Sequence, residues 1–141
     1  RLAVNSILLG APPSRLRPWH ARRAVEVACD GRPGAGRAAT SVAVLTGQYV
    51  GGLDLNPRSH PGDGSVEVQV YGLPAGERRA MRRRLPSGSH LPHPGITTAR
   101  AARRVWVRFD RDVAVELDGV PAGRAATLDI EVLAGAFRLV V

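Results

Sequence analysis

The chain has 141 residues, enough for one domain that closes a core without disulfides or a structural metal. All 20 of its basic residues are arginine, set against 12 acidic residues, for a net charge of +8. That balance points to an anionic partner, and the single cysteine, Cys29, excludes an internal disulfide and a four-cysteine zinc site.

The elements follow in chain order. "LAVNSILL" is a first buried strand, closed by Gly10. The proline-rich "GAPPSRLRPWH" is a loop. "ARRAVEVACDG" alternates Val25, Val27 and Cys29 against Ala24, Glu26 and Ala28, and ends in an Asp-Gly turn. That position makes Cys29 a buried, inert thiol. "AATSVAVLTGQYVGG" is a long β-branched strand, and "LDLNPRSHPGDG" is an irregular loop. "SVEVQVYG" places Val66, Val68 and Val70 on one face and Glu67, Gln69 and Tyr71 on the other.

"PAGERRAMRRRLP" is the one helix expected, with Glu77 in its first turn, arginines after it and Pro86 as a stop. "SGSHLPHPG" is a second loop. "RRVWVRFD", "VAVELDG", "AATLDIEVL" and "AFRLVV" are four more strands. About eight strands at short intervals, with turn residues between them, predict a mainly β fold: an antiparallel β-sandwich with one short basic helix. The whole of 1–141 reads as a single domain.

No apolar run is long enough to cross a membrane, and no signal peptide is visible. The opening at Arg1, directly on a strand-like run, reads as a domain cut from a longer polypeptide.

Four features could carry chemistry. Arg78, Arg79, Arg82 and Arg83 crowd the helix at i,i+4 spacing, where like charges repel unless they meet anions. They suit lipid headgroups or phosphate as readily as they suit a solvated face. Nucleic acid ranks low, because aromatic residues for base stacking are scarce. Asp63 sits in a glycine-flanked loop that suits either a hard cation or a plain turn. His90 and His93 are close in sequence but lack helical spacing for a metal pair. Asp118, in "ELDGVPAG", is a hairpin residue or a general base facing a cleft. No P-loop, HExxH or serine triad is present.

Three segments taken together resemble the diacylglycerol kinase-like lipid kinases. "TGQYVGGLDLNPRSHPGDGSVEVQVY" is similar to the family's strand, Gly-Gly, Pro, Asp-Gly, strand sequence. "ELDGVPAG" is similar to its Asp-Gly-Glu-Pro segment, and "LDIEVLAGAFRLVV" to its terminal strand pair. The opening "LAVNSILLG" also resembles the related NAD kinases.

The resemblance implies two domains: an N-terminal α/β domain with a Gly-Gly-Asp-Gly nucleotide motif, and a C-terminal β-sandwich, with the lipid bound between them. Gly-Gly-Asp-Gly is absent from this chain, so the resemblance makes it the C-terminal domain, whose partners are its own nucleotide-binding domain and a lipid. It implies ATP and Mg²⁺ as cofactors of the complete protein, and none certain in this chain. It makes Asp118 the base for the lipid hydroxyl. It gives a structural Mg²⁺ to Asp63, with the carbonyls of His60 and Ser65. It implies a cytoplasmic protein, peripheral at an acidic membrane, with a homodimer open. The family's glutamate after Asp-Gly is Val120 here, so the second carboxylate is missing; because the metal and nucleotide machinery belongs to the other domain, the chain by itself is expected to be inactive. The alternative is a non-catalytic module that binds lipid or an anionic membrane.

Overall fold

The computed structural model describes residues 3–34, 36–50, 52–57, 64–133 and 136–140. Thirteen strands and one α-helix lie among them. The early strands are β1 (Ala3–Val4), β2 (Ser6–Gly10), β3 (Arg23–Cys29), β4 (Arg32–Pro33), β5 (Arg37–Ala39), β6 (Ser41–Leu45), β7 (Tyr49–Val50) and β8 (Leu53–Asp54). The later ones are β9 (Val66–Tyr71), β10 (Ile96–Ala101), β11 (Arg104–Leu117), β12 (Val120–Leu133) and β13 (Ala136–Val140). The helix α1 (Arg78–Arg84) lies between β9 and β10.

Eleven strands form one antiparallel sheet, ordered β1-β13-β12-β11-β2-β6-β9-β10, with β3 also on β11 and β4 and β5 on β3. The sheet curls into two layers because β11 serves both. Its first half, Val105–Phe109, pairs with β3, and its last residues, Val115–Leu117, pair with β2. A register shift between Arg108 and Val113 turns the strand from one layer to the other. The exposed "DRD" at that point reads as a break in sequence, yet the strand continues through it. The expected strand over "AATSVAVLTGQYVGG" is instead divided into β5, β6 and β7, and "LAVNSILL" is divided at Asn5.

Two cores result. The first fills the sandwich: Ile7, Leu9, Val42, Val44, Val66 and Val68 face Val25, Val105, Val107 and Phe109. The second lies on the outer face of β2, β6 and β9, where Leu16, Leu73, Met81 and Leu85 cover Leu8, Ala43, Leu45 and Tyr71. This second layer explains β9. Its alternation predicts one wet face, but all six of its residues are buried, because α1 and the loop 12–22 cover the polar side.

Candidate functional site

Asp118 and Gly119 form the two-residue turn between β11 and β12, closing on the Leu117–Val120 pair. Both have positive φ, +51° and +79°, as a type I′ turn requires. The carboxylate folds back onto the neighbouring strand break. Its Oδ1 accepts the backbone N–H of Asn5 at 2.8 Å and of Ser6 at 2.9 Å. Its Oδ2 accepts no hydrogen bond from the described residues and is open to solvent. The carboxylate is therefore fixed in direction, with one oxygen held and one free.

Asp30 repeats the arrangement between β3 and β4. Its φ is +53°, Gly31 follows at +79°, and its carboxylate accepts the N–H groups of Ala102, Arg103 and Arg104 at 2.8–2.9 Å. Those backbone donors, led by Ala102 and Arg104, hold its carboxyl below the usual range. The Asp-Gly turn with a back-folded carboxylate is thus a device of this fold, used twice. Geometry alone does not make Asp118 special.

Among the described residues, no second free carboxylate stands beside Asp118 in the β11–β12 hairpin. Val120 presents an apolar side chain that is 63% exposed. Glu116, two residues earlier on β11, accepts Arg15 Nη2 at 2.9 Å.

Of the residues expected to hold Mg²⁺, His60 and Asp63 lie outside the described residues. Ser65 is described, and its Oγ accepts Arg100 Nη2 at 2.9 Å. Among the described residues, no three His, Cys, Asp or Glu side chains gather as a metal site. His93 caps its own loop: Nδ1 accepts Gly95 N at 2.8 Å, while Nε2 meets Glu77 at 3.1 Å.

The helix arginines divide. Arg78 is only 2% exposed, which corrects its expected place among the anion contacts. Its guanidinium donates to the carbonyls of Leu73, Arg17, Pro18 and His20, pinning the loop 12–22 to α1. Arg82 donates to Leu16 O from a half-buried position. Burial, then the charges of Arg17, Arg79 and Arg83, lower its pKa. Arg79 and Arg83 are exposed. Trp19 stands on the pinned loop at 77% exposure, with its ring 6.1 Å from that of His20. Arg78 thus holds the loop that carries Trp19 against α1, and the charges of Arg17, Arg79 and Arg83 gather around Arg82 on that helix. Trp19 passed unremarked in the sequence because nothing local links it to the helix; Arg78 makes that link.

The sequence also conceals a buried polar cluster under α1. Tyr71 Oη donates to Gln69 Oε1 at 2.5 Å, and Gln69 Nε2 donates to Leu55 O at 2.6 Å and Glu67 Oε2 at 2.7 Å. Burial, then the charge of Glu67, holds Tyr71 as the neutral phenol. His90 stacks on Tyr71 with ring centroids 6.5 Å apart and planes 9° apart. It is 2% exposed, and neither ring nitrogen has a partner among the described residues. Burial lowers its pKa, opposed by the backbone of Leu55 and the charge of Asp54. Gly88 has φ +72°, and a Cβ there would lie 2.8 Å from Asp54 Oδ2, so the carboxylate occupies space only glycine leaves.

The comparisons with known proteins agree with this architecture. A candidate diacylglycerol kinase from Bacillus anthracis str. Sterne superposes with a TM-score of 0.72 at 16% identity, covering 94% of this chain and 50% of that one. A diacylglycerol kinase of the same strain gives a TM-score of 0.65 at 18% identity, covering 94% of this chain and 47% of that one. The chain therefore spans about half the length of the solved structures it matches. At these identities the likeness shows the fold. No curated protein matches. A family model, the YegS C-terminal NAD kinase beta sandwich-like domain, matches residues 12–141, and the chain belongs to that family.

Proposed function

We propose that this chain is the lipid-side domain of an ATP-dependent lipid kinase and supplies Asp118 as the base. The observation that carries the reading is the fixed carboxylate of Asp118, with Oδ1 held by two amides and Oδ2 free, in a chain of this family. The lipid hydroxyl oxygen would attack the γ-phosphorus of ATP, the bond from that phosphorus to the bridging oxygen would break, and ADP would leave. Asp118 Oδ2 would take the hydroxyl proton. Phosphoryl transfer depends chiefly on positioning and charge stabilisation, and a base held by two backbone amides meets the first demand.

In this reading ATP and its Mg²⁺ come from a nucleotide-binding domain that pairs with this one, and diacylglycerol is the first substrate to assay. The chain by itself would not turn over. Incubating the 141-residue chain with ATP and diacylglycerol tests that requirement, and phosphatidic acid formed by the chain alone would refute it.

A second reading is favoured by Trp19. An exposed indole on a loop pinned to a helix with exposed Arg79 and Arg83 is the composition of a surface that sits at an anionic membrane interface. It would hold the domain peripherally at the bilayer. If Val120 marks lost chemistry, that membrane contact would be the domain's whole function.

A further inference from the structure

The sandwich is not closed along one side. Between β3 with its short partner β4 and the β9–β10 edge lies a cavity of ≈ 510 Å³. Its walls are Val25 and Val27 from one layer and Val68 and Val70 from the other. Thr97, Thr98 and Ala99 of β10 complete the lining, and no aromatic side chain fills the space. The volume lies within the range of roughly 300–1,000 Å³ typical of small-molecule sites.

The charged residues that line this gap are all of one sign. Arg32, Arg37 and Arg100 line it; the side chains of Arg32 and Arg37 make no hydrogen bond or ion pair among the described residues, while Arg100 donates to Ser65 Oγ. No carboxylate lines it. Asp30, next to the lining residue Cys29, has its oxygens on the amides of Ala102, Arg103 and Arg104. An apolar slot with a cationic mouth is complementary to a single acyl chain bearing an acidic head.

We propose that this gap binds a single-chain anionic amphiphile, its hydrocarbon between β3 and β9 and its carboxylate or phosphate on Arg32 and Arg37. The site is separate from the reading of Asp118 as a base. On the sheet path β2 and β6 lie between β11 and β9, and β3 meets β11 at the end away from the Asp118 turn. Its test needs no turnover, so it can fail while the kinase reading stands.

Cys29, expected to be buried, is half-buried and lines the same gap; as the chain's one cysteine it reports occupancy without any mutation. Burial, then the charge of Asp30, raises its pKa, so alkylation is best followed at mildly alkaline pH. The experiment measures the rate of Cys29 alkylation by N-ethylmaleimide in the 141-residue chain. Laurate below its micelle concentration, dodecanol and inorganic phosphate are added separately. Laurate at saturation is expected to slow the reaction by about tenfold, the effect of leaving under a tenth of the sites open. Phosphate alone should leave the rate unchanged, and dodecanol should protect more weakly than laurate. The Arg32→Ala/Arg37→Ala variant, altered away from the core, should reduce laurate to the level of dodecanol. Unchanged or accelerated alkylation in laurate would overturn the proposal and leave the gap to a protein partner. Equal protection by laurate and dodecanol in the unaltered chain would overturn the role of the arginines.

Discussion

Asp118 and Ser6 hold each other in both directions: Asp118 N donates to Ser6 O at 2.9 Å, and Ser6 N donates to Asp118 Oδ1 at 2.9 Å. The β11–β12 turn is thereby tied to the break between β1 and β2. A left-handed residue costs about 1 kcal/mol, and each net hydrogen bond returns about as much. Asp118→Ala loses both carboxylate bonds and keeps the backbone strain, so it should destabilise the chain by about 1–3 kcal/mol. Asp118→Asn keeps an acceptor and tolerates the backbone, so its loss should stay under about 1 kcal/mol. Urea unfolding midpoints of the two variants distinguish these outcomes.

Arg78 should be the costliest of the helix arginines to remove. Arg78→Met leaves three carbonyls of buried or half-buried residues, Leu73, Arg17 and His20, without their donor, which predicts a loss of about 2–4 kcal/mol. Arg79→Ala and Arg83→Ala remove only exposed charge and should stay within about 0.5 kcal/mol. Denaturant unfolding of the three variants checks the order. Equal effects would show that the loop 12–22 is not pinned through Arg78.

His90 makes stability depend on pH. Its pKa is lowered from 6.5 in the folded chain, mainly by burial. Below 6.5 the unfolded chain takes up a proton that the folded chain resists, so unfolding is favoured. Stability from this group is complete above 6.5 and declines as pH falls from there toward the folded value. His90→Gln removes the titration. The unaltered chain should therefore lose thermal midpoint more steeply between about pH 7 and pH 5 than the variant does. Parallel curves would contradict the assignment.

The Trp19 face predicts binding to phosphatidylserine vesicles that weakens with salt and is absent for phosphatidylcholine. Each exposed arginine near such a surface contributes about 1 kcal/mol, so Arg79→Ala and Arg83→Ala should each weaken binding by about fivefold. Trp19→Ala should remove the blue shift of tryptophan emission on vesicle addition. Vesicle sedimentation reads the first effect and fluorescence the second.

Much of the fold is local in origin and could be read from the chain. The alternation of Val66, Val68 and Val70 gave the core face of β9, and Asp-Gly after Cys29 and Leu117 marked both hairpins. Long-range contacts could not be read. Arg78 looks like any surface arginine until the loop 12–22 folds across it. The polar residues of β9 read as wet because alternation does not reveal a second covering layer. Asp118 was visible as a turn residue. What its carboxylate touches depends on Asn5 and Ser6, more than a hundred residues earlier.

The most direct test compares two equivalent turns. Asp118→Asn and Asp30→Asn replace back-folded carboxylates at the same left-handed backbone, Asp118 with one oxygen held by amides and Asp30 with both. With the chain joined to the nucleotide-binding domain that the proposed function requires, and with ATP and a panel of lipid alcohols including diacylglycerol, turnover is measured beside the unfolding midpoint of each variant. Asp118 acting as base predicts that Asp118→Asn loses turnover by about 100-fold or more while Asp30→Asn stays near the unaltered rate, both remaining folded. Full turnover in folded Asp118→Asn, or equal loss in both variants, would contradict it and leave the two aspartates with the same purely structural role.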